Sequence, residues 1–285
     1  MTDQFPWRVR GKLVLPADHT LVMGILNVTP DSFSDGGRYL DPQSALAAAT
    51  QMVEAGVDIL DIGGESTRPT RSGPVPADEE LARILPVLRE VRARFPNVLI
   101  SVDTYKAEVA KVALEEGADI INDIYALRAA PEIAELVAAA DAGLILMHMQ
   151  GTPETMQQNP LYGEVAVDIK NFLRDRIAFA IEAGVPEEAI AVDPGFGFGK
   201  TVEHNVELLA RLEYFRLLQR PICVGVSRKS FLGALTGGLP PLEREEATLA
   251  AQCVAVMNGA AIVRCHDVRA ARRALAVVDA VLARG

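Results

Sequence analysis

The chain has 285 residues, 49% of them hydrophobic and 23% charged, enough for one large domain with its own core. That excludes a disordered chain and a small scaffold that needs disulfide staples. Lys plus Arg number 28 against 38 Asp plus Glu, a formal net charge of −10 with no basic run to break it, so nucleic acid and anionic membranes are disfavoured partners. The opening MTDQFPWRVR lacks the basic and apolar segments of a secretory signal, and no apolar stretch reaches the length of a membrane span, which predicts a cytoplasmic protein. Cys223, Cys253 and Cys265 lack metal-ligand spacing and read as small core residues.

In chain order, Trp7 to Thr20 alternates weakly around Gly11 and reads as a hairpin that covers the floor of the fold. Short β-branched runs then alternate with Ala/Leu/Glu/Arg stretches of helical period. Strands are expected at Leu21 to Asn27, Val57 to Gly63, Leu99 to Asp103, Asp119 to Ile124, Gly143 to Met149, Ala189 to Asp193, Ile222 to Ser227 and Ala261 to His266. Helices are expected at Ser44 to Ala55, Asp78 to Phe95, Lys106 to Glu116, Pro131 to Ala140, Gly163 to Ala183, Val202 to Leu212, Glu243 to Asn258 and Val268 to Ala283. Eight βα pairs over residues 1–285 point to an α/β fold with one domain, a closed (β/α)8 TIM barrel. Two connections, Thr29 to Pro42 and Gly64 to Ala77, are too long and too rich in Gly, Pro, Ser and Thr for turns. Both come after strand ends, where catalytic loops gather in this fold, and their composition suggests mobile lids.

The predicted strand ends carry a coherent polar set: Asn27, Gly63, Asp103, Asn122 with Asp123, His148, Asp193, Ser227 with Lys229, and Arg264 with His266. Arg264 and His266 are two apart on one strand and share a face, a pair suited to phosphate or diphosphate; the competing reading of Arg264 is a salt bridge to a neighbouring carboxylate. Asn27 offers an oxygen to a Mg²⁺ that bridges diphosphate oxygens, because Mg²⁺ takes few protein ligands beside substrate phosphates. Asp193 opens the run Asp193-Pro194-Gly195-Phe196-Gly197-Phe198-Gly199-Lys200, where glycines let the backbone approach a ligand and one carboxylate can accept two N–H groups from a planar, guanidine-like ring edge. Asp103 and Asn122 can complete the readout of such a ring. Lys229 reads as a donor to ring heteroatoms, with Schiff-base chemistry as the alternative. Phe33, Thr67, Arg68 and Pro69 on the two long loops would suit a small aromatic acid.

These residues resemble the dihydropteroate synthase family, the folate-pathway target of sulfonamides. The resemblance rests on Asn27 to Gly37 (NVTPDSFSDGG), Gly63 to Pro69 (GGESTRP), Ser101 to Thr104, Asn122 to Ile124, Met147 to Met149, Asp193 to Lys200, Ser227 to Phe231 and Arg264 to Val268, in order along nearly the whole chain. It implies condensation of (7,8-dihydropterin-6-yl)methyl diphosphate with 4-aminobenzoate to give 7,8-dihydropteroate and diphosphate, with Mg²⁺ as cofactor and a homodimer as the assembly. By the same resemblance Asp103, Asn122, Asp193 and Lys229 hold the pterin, and Asn27 with Mg²⁺, Arg264 and His266 hold diphosphate. Phe33, Thr67, Arg68, Pro69 and Ser230 meet 4-aminobenzoate. Asp35, Asp193, Lys229 and Arg264 are the expected catalytic groups, in an SN1-like substitution where Asp35 sits near the cation or takes the amine proton. The alternatives are a pterin-binding methyltransferase-like domain and an inactive pterin-binding paralogue.

Overall fold

The computed structural model describes residues 5–15, 17–29, 42–66 and 73–284. A two-stranded antiparallel hairpin, β1 (Trp7–Val9) and β2 (Lys12–Leu15), comes first. Its turn residues Arg10 and Gly11 both have positive φ, 53° and 71°, as a two-residue hairpin turn matched to strand twist requires. The parallel strands are β3 (Leu21–Asn27), β4 (Ile59–Gly63), β5 (Leu99–Asp103), β6 (Ile120–Asp123), β7 (Gly143–Met147), β8 (Ile190–Asp193), β9 (Cys223–Val224) and β10 (Ile262–Cys265). They pair in the order β8-β7-β6-β5-β4-β3-β10-β9, and a bridge between Val192 and Ile222 joins the two ends, closing the barrel.

The outer layer among the described residues contains α1 (Pro42–Glu54), α2 (Ala77–Arg94), α3 (Ala107–Glu115), α4 (Ile133–Ala139), α5 (Val165–Glu182), α6 (Val202–Ala210), α7 (Ser230–Leu235), α8 (Glu245–Met257) and α9 (Val268–Leu282). All eight expected helices are present to within a few residues, and α7 is an addition, too short and too interrupted by Gly233 to be read from period. The seventh strand is two residues long where six were expected. Its pairing stops at Gly225, after which Lys229 N–H donates to Val226 O and Arg228 takes a positive φ of 58°, turning the chain off the barrel wall.

Side-chain parity along the strands separates two cores. Leu60, Ile62, Ile100, Val102, Ile121, Leu144, Leu146, Val192, Val263 and Cys265 face the helices. Residues of the other parity (Met23, Ile59, Ile120, Ile145, Ala191, Cys223 and Ile262) fill the lower lumen, where Trp7, Val9 and Leu15 of the hairpin join them. The hairpin is therefore the floor, held by Trp7 Nε1 donating to Ala189 O at 3.0 Å and by Arg10 donating to the carbonyls of Ala140 and Ala118, both at 2.6 Å. The apolar floor closes the lumen at this end, so a lumen site opens at the strands' C-terminal end.

Candidate active site

Continuing the lumen parity upward replaces apolar side chains by polar ones. Above Ile59 comes Asp61, above Leu99 come Ser101 and Asp103, above Ile120 comes Asn122, above Ala191 comes Asp193, and above Ile262 comes Arg264. Asp103, Asn122, Asp193, Lys229 and Arg264 line one pocket together with the apolar Ile124, Met147, Phe196 and Phe198. Hydrogen-bonding groups among apolar and aromatic side chains in one slot suit a planar heterocycle.

At its centre, Arg264 donates through Nε to Asp61 Oδ2 at 2.6 Å and through Nη2 to Asp103 Oδ2 at 2.9 Å. The salt bridge weighed as the competing reading of Arg264 is therefore real, and Nη1 is the guanidinium nitrogen that neither carboxylate engages. Asp61, fully buried, also accepts a long bond of 3.4 Å from Asn122 Nδ2. Burial pushes the Asp103 carboxyl up to about 7 against the pull of Arg264, with the Asp61 charge adding to the rise. Burial also raises Asp193, opposed by the Gly195 N–H that donates to its Oδ1 at 2.7 Å and by the charges of Lys229 and Arg264. Lys229 is pushed down to about 8 by burial and by Arg264, and its Nζ sits 4.0 Å from the centre of the Phe198 ring.

Asp61 was missed from sequence. Strand ends drew the reading, whereas Asp61 lies mid-strand, two residues before Gly63; its signal is a lone carboxylate inside the apolar run Ile59–Gly63 at lumen parity. Asp123, next to Asn122, takes the other parity and accepts from Tyr125 N–H at 2.8 Å and Leu127 N–H at 2.6 Å, shaping a turn rather than the slot.

Asn27 ends β3 level with Gly63, and its Oδ1 is 3.5 Å from where a Cβ at Gly63 would stand. His266 lies just past β10, with Nδ1 2.9 Å from Ser227 Oγ. Ser230 is exposed at the start of α7, one residue from Lys229. Phe33 and Asp35 of the first long loop, and Thr67, Arg68 and Pro69 of the second, lie outside the described residues. No group of three or more His, Cys, Asp or Glu among the described residues could hold a metal ion. A Mg²⁺ held mainly by phosphate and water would need no such group, and the Asn27 carboxamide at the end of β3 has the neutral oxygen that such an ion takes from a protein.

Comparison with known proteins identifies the family. The family described as pterin binding enzyme matches residues 23–266. The dihydropteroate synthase of Escherichia coli (strain K12) is 47% identical over 270 residues, 94% of each chain. A Xanthomonas albilineans dihydropteroate synthase solved with 4-aminobenzoic acid superposes with a TM-score of 0.90 at 42% identity, covering 99% of this chain and 100% of that one. The Burkholderia cenocepacia dihydropteroate synthase complexed with 7,8-dihydropteroate superposes with a TM-score of 0.86 at 47% identity, covering 98% and 97%. With the family match over residues 23–266 and relatives that match over nearly the whole chain, this chain belongs to the dihydropteroate synthase family of transferases.

Proposed function

We propose that this chain joins (7,8-dihydropterin-6-yl)methyl diphosphate to 4-aminobenzoate, forming 7,8-dihydropteroate and releasing diphosphate in folate biosynthesis. The observation that carries this reading is the convergence of Asp103, Asn122, Asp193, Lys229 and Arg264 on one slot walled by Met147 and Phe198. Lengthwise identity to relatives of that activity supports it.

In this reading the guanidine-like edge of the pterin donates to the Asp193 carboxylate, whose Oδ2 faces the bare backbone of Gly225, 3.9 Å from the Cβ position there. Lys229 donates to ring heteroatoms, and Asn122 and Asp103 read the rest of the edge. Arg264 Nη1, His266 and Asn27 take the diphosphate; Mg²⁺ held at Asn27 would offset the charge that diphosphate gains as it leaves. The C–O bond between the methylene and diphosphate breaks with its electron pair going to diphosphate. The resulting cation is delocalised over the pterin and balanced by Asp193. The aryl amine, a weak neutral nucleophile, then forms the C–N bond and loses a proton. Ser230, Phe33, Thr67, Arg68 and Pro69 are assigned to 4-aminobenzoate, and Asp35 to the cation or the amine proton, by resemblance.

The same reading assigns residues 1–285 to a single domain, a homodimer as assembly and the cytoplasm as location. No helix among the described residues is long and apolar enough to cross a membrane. The decisive assay mixes the protein with the pterin diphosphate, 4-aminobenzoate and Mg²⁺ and measures diphosphate and 7,8-dihydropteroate. Equal amounts of both, dependent on both substrates, are expected; no turnover would overturn the proposal in favour of an inactive pterin-binding paralogue.

A further inference from the structure

Lys200 ends the glycine run after Asp193 and is 3% exposed, yet it does not line the slot. Its Nζ lies 2.8 Å from Gly195 O, 3.0 Å from Phe198 O and 3.1 Å from His148 Nδ1. An ammonium has three N–H donors and meets three acceptors here. Burial and the neighbouring charges of Lys200 and Arg128 hold His148 well below its usual range, so the imidazole is neutral and can accept at Nδ1. Burial pulls Lys200 well down, the Asp193 charge opposes it, and the Lys229 charge adds to the fall.

The run belongs to no helix or strand: one backbone bond, Phe198 N–H to Gly195 O at 3.1 Å, lies within it, and side chains outside it hold further groups. Gly195, Gly197 and Gly199 have φ of 72°, 78° and 65°, the left-handed region that only glycine enters freely. Gly197 O accepts from Gln157 Nε2 at 2.7 Å, Gly199 O from Tyr162 O–H at 2.7 Å, and Gly197 N–H donates to Asn205 Oδ1 at 2.7 Å. Lys200 supplies Gly195 O and Phe198 O. Both residues line the slot, as Phe196 between them does: Gly195 N–H donates to Asp193, and the Phe198 ring lies against the Lys229 ammonium. The run also presses on the end of β7, where a Cβ on Gly195 would stand 1.9 Å from His148 O.

We infer that Lys200 is a positioning residue for the pterin reaction: its ammonium, bound between His148 and the carbonyls of Gly195 and Phe198, fixes the glycine run so that Asp193 and Lys229 meet the ring together. The inference rests on the reading of the slot as the pterin site. Lys200→Met removes all three donors, and Lys200→Arg keeps the charge and donors in a larger group. Affinity for a phosphate-free pterin, 6-hydroxymethyl-7,8-dihydropterin, is measured by calorimetry from pH 5 to 9 beside thermal unfolding and initial rates.

Lys200→Met should weaken the pterin about tenfold or more and raise KM for the pterin diphosphate while leaving KM for 4-aminobenzoate nearly unchanged. It should also move the acid limb of pterin binding to higher pH, because Asp193 then faces only Lys229 and Arg264 as cations; Lys200→Arg should restore part of both. If Lys200→Met does not fold, Gln157→Ala is read instead. Gln157 is exposed, and its loss removes a donor to the same run without disturbing the buried ammonium. Severalfold weaker pterin binding at unchanged unfolding temperature is expected. Wild-type pterin affinity in the folded variants would overturn the inference and leave Lys200 a support of the fold alone. A wild-type protein that binds no pterin would overturn the slot's assignment as well.

Discussion

Asp61 provides the sharpest test of how the lumen is held. Its carboxylate is fully buried, receives Arg264 Nε at 2.6 Å, and shares that guanidinium with Asp103. Asp61→Leu leaves Arg264 with Asp103 alone, and breaking a buried ion pair from one side costs about 3–5 kcal/mol. Asp61→Asn keeps an acceptor for Nε and removes only the charge, a loss of about 1.5–3 kcal/mol, typical of a hydrogen bond to a charged partner. At about 2 °C per kcal/mol for a chain of this size, the melting temperature should fall by about 6–10 °C and 3–6 °C respectively. The pH dependence gives an independent reading. The Asp103 carboxyl is held at about 7 in the fold, above its ordinary 3.8, so its contribution to stability is complete below about pH 4 and is lost as pH rises through 7. Removing the Asp61 charge lowers the Asp103 value and reduces that loss between about pH 4 and 7. Thermal unfolding of the three proteins across this range is the assay. An Asp61→Leu protein that melts with the wild type and keeps its pH slope would refute the account of the charged layer.

Three further outcomes are expected. Asp193→Asn should weaken a phosphate-free pterin about tenfold or more, since the Gly195 N–H claims the amide oxygen and turns the NH₂ group toward the ring's own donors; unchanged affinity by calorimetry would remove Asp193 from the site. Pterin affinity should decline as pH rises through about 8, where Lys229 loses its proton, and Lys229→Met should abolish that alkaline limb; a limb that persists in the variant belongs to another group. Arg264→Lys should lower both thermal stability and diphosphate affinity, because one ammonium cannot reproduce a fork that binds Asp61 and Asp103 through different nitrogens; an equal loss for phosphate-free pterin would assign Arg264 to the ring and the frame.

The barrel was legible because its two periodicities are written in local residues. Runs such as Leu21–Asn27 and Gly143–Met147 are apolar at both parities, as strands covered on both sides must be, and the helices between them repeat with helical period. The polar strand ends Asp103, Asn122, Asp193 and Arg264 were legible for a related reason: a charge that interrupts such a run has to be matched inside the barrel. What escaped depends on contacts between distant segments. The seventh strand was overextended because Gly225 looks like strand interior until the chain turns at Arg228. Lys200 reads as the end of a glycine run, and its burial depends on acceptors that include His148, 52 residues away. The first- and second-loop residues, Phe33, Asp35, Thr67, Arg68 and Pro69, rest on motif resemblance.

The charges of the lumen also bear on why the slot accepts an anionic substrate in an acidic protein. Around the slot stand three carboxylates, Asp61, Asp103 and Asp193, and three cations, Arg264, Lys229 and the buried Lys200. With Asp103 held at about 7, this one carboxyl is partly protonated near neutral pH, so the cluster carries less negative charge than three ionised carboxylates would, although the whole chain carries −10. Carboxylates paired with the cations leave them less able to hold diphosphate than unpaired cations would be. The raised value also makes Asp103 the group through which the site adjusts: a ligand donor placed against it favours the ionised form and releases a proton. Pterin binding measured in buffers of different ionisation enthalpy should therefore show net proton release near pH 7, and Asp103→Asn should abolish most of it. Binding without proton exchange in the wild type would mean that Asp103 is already ionised in the free protein, and that the charge balance derived from its burial is wrong.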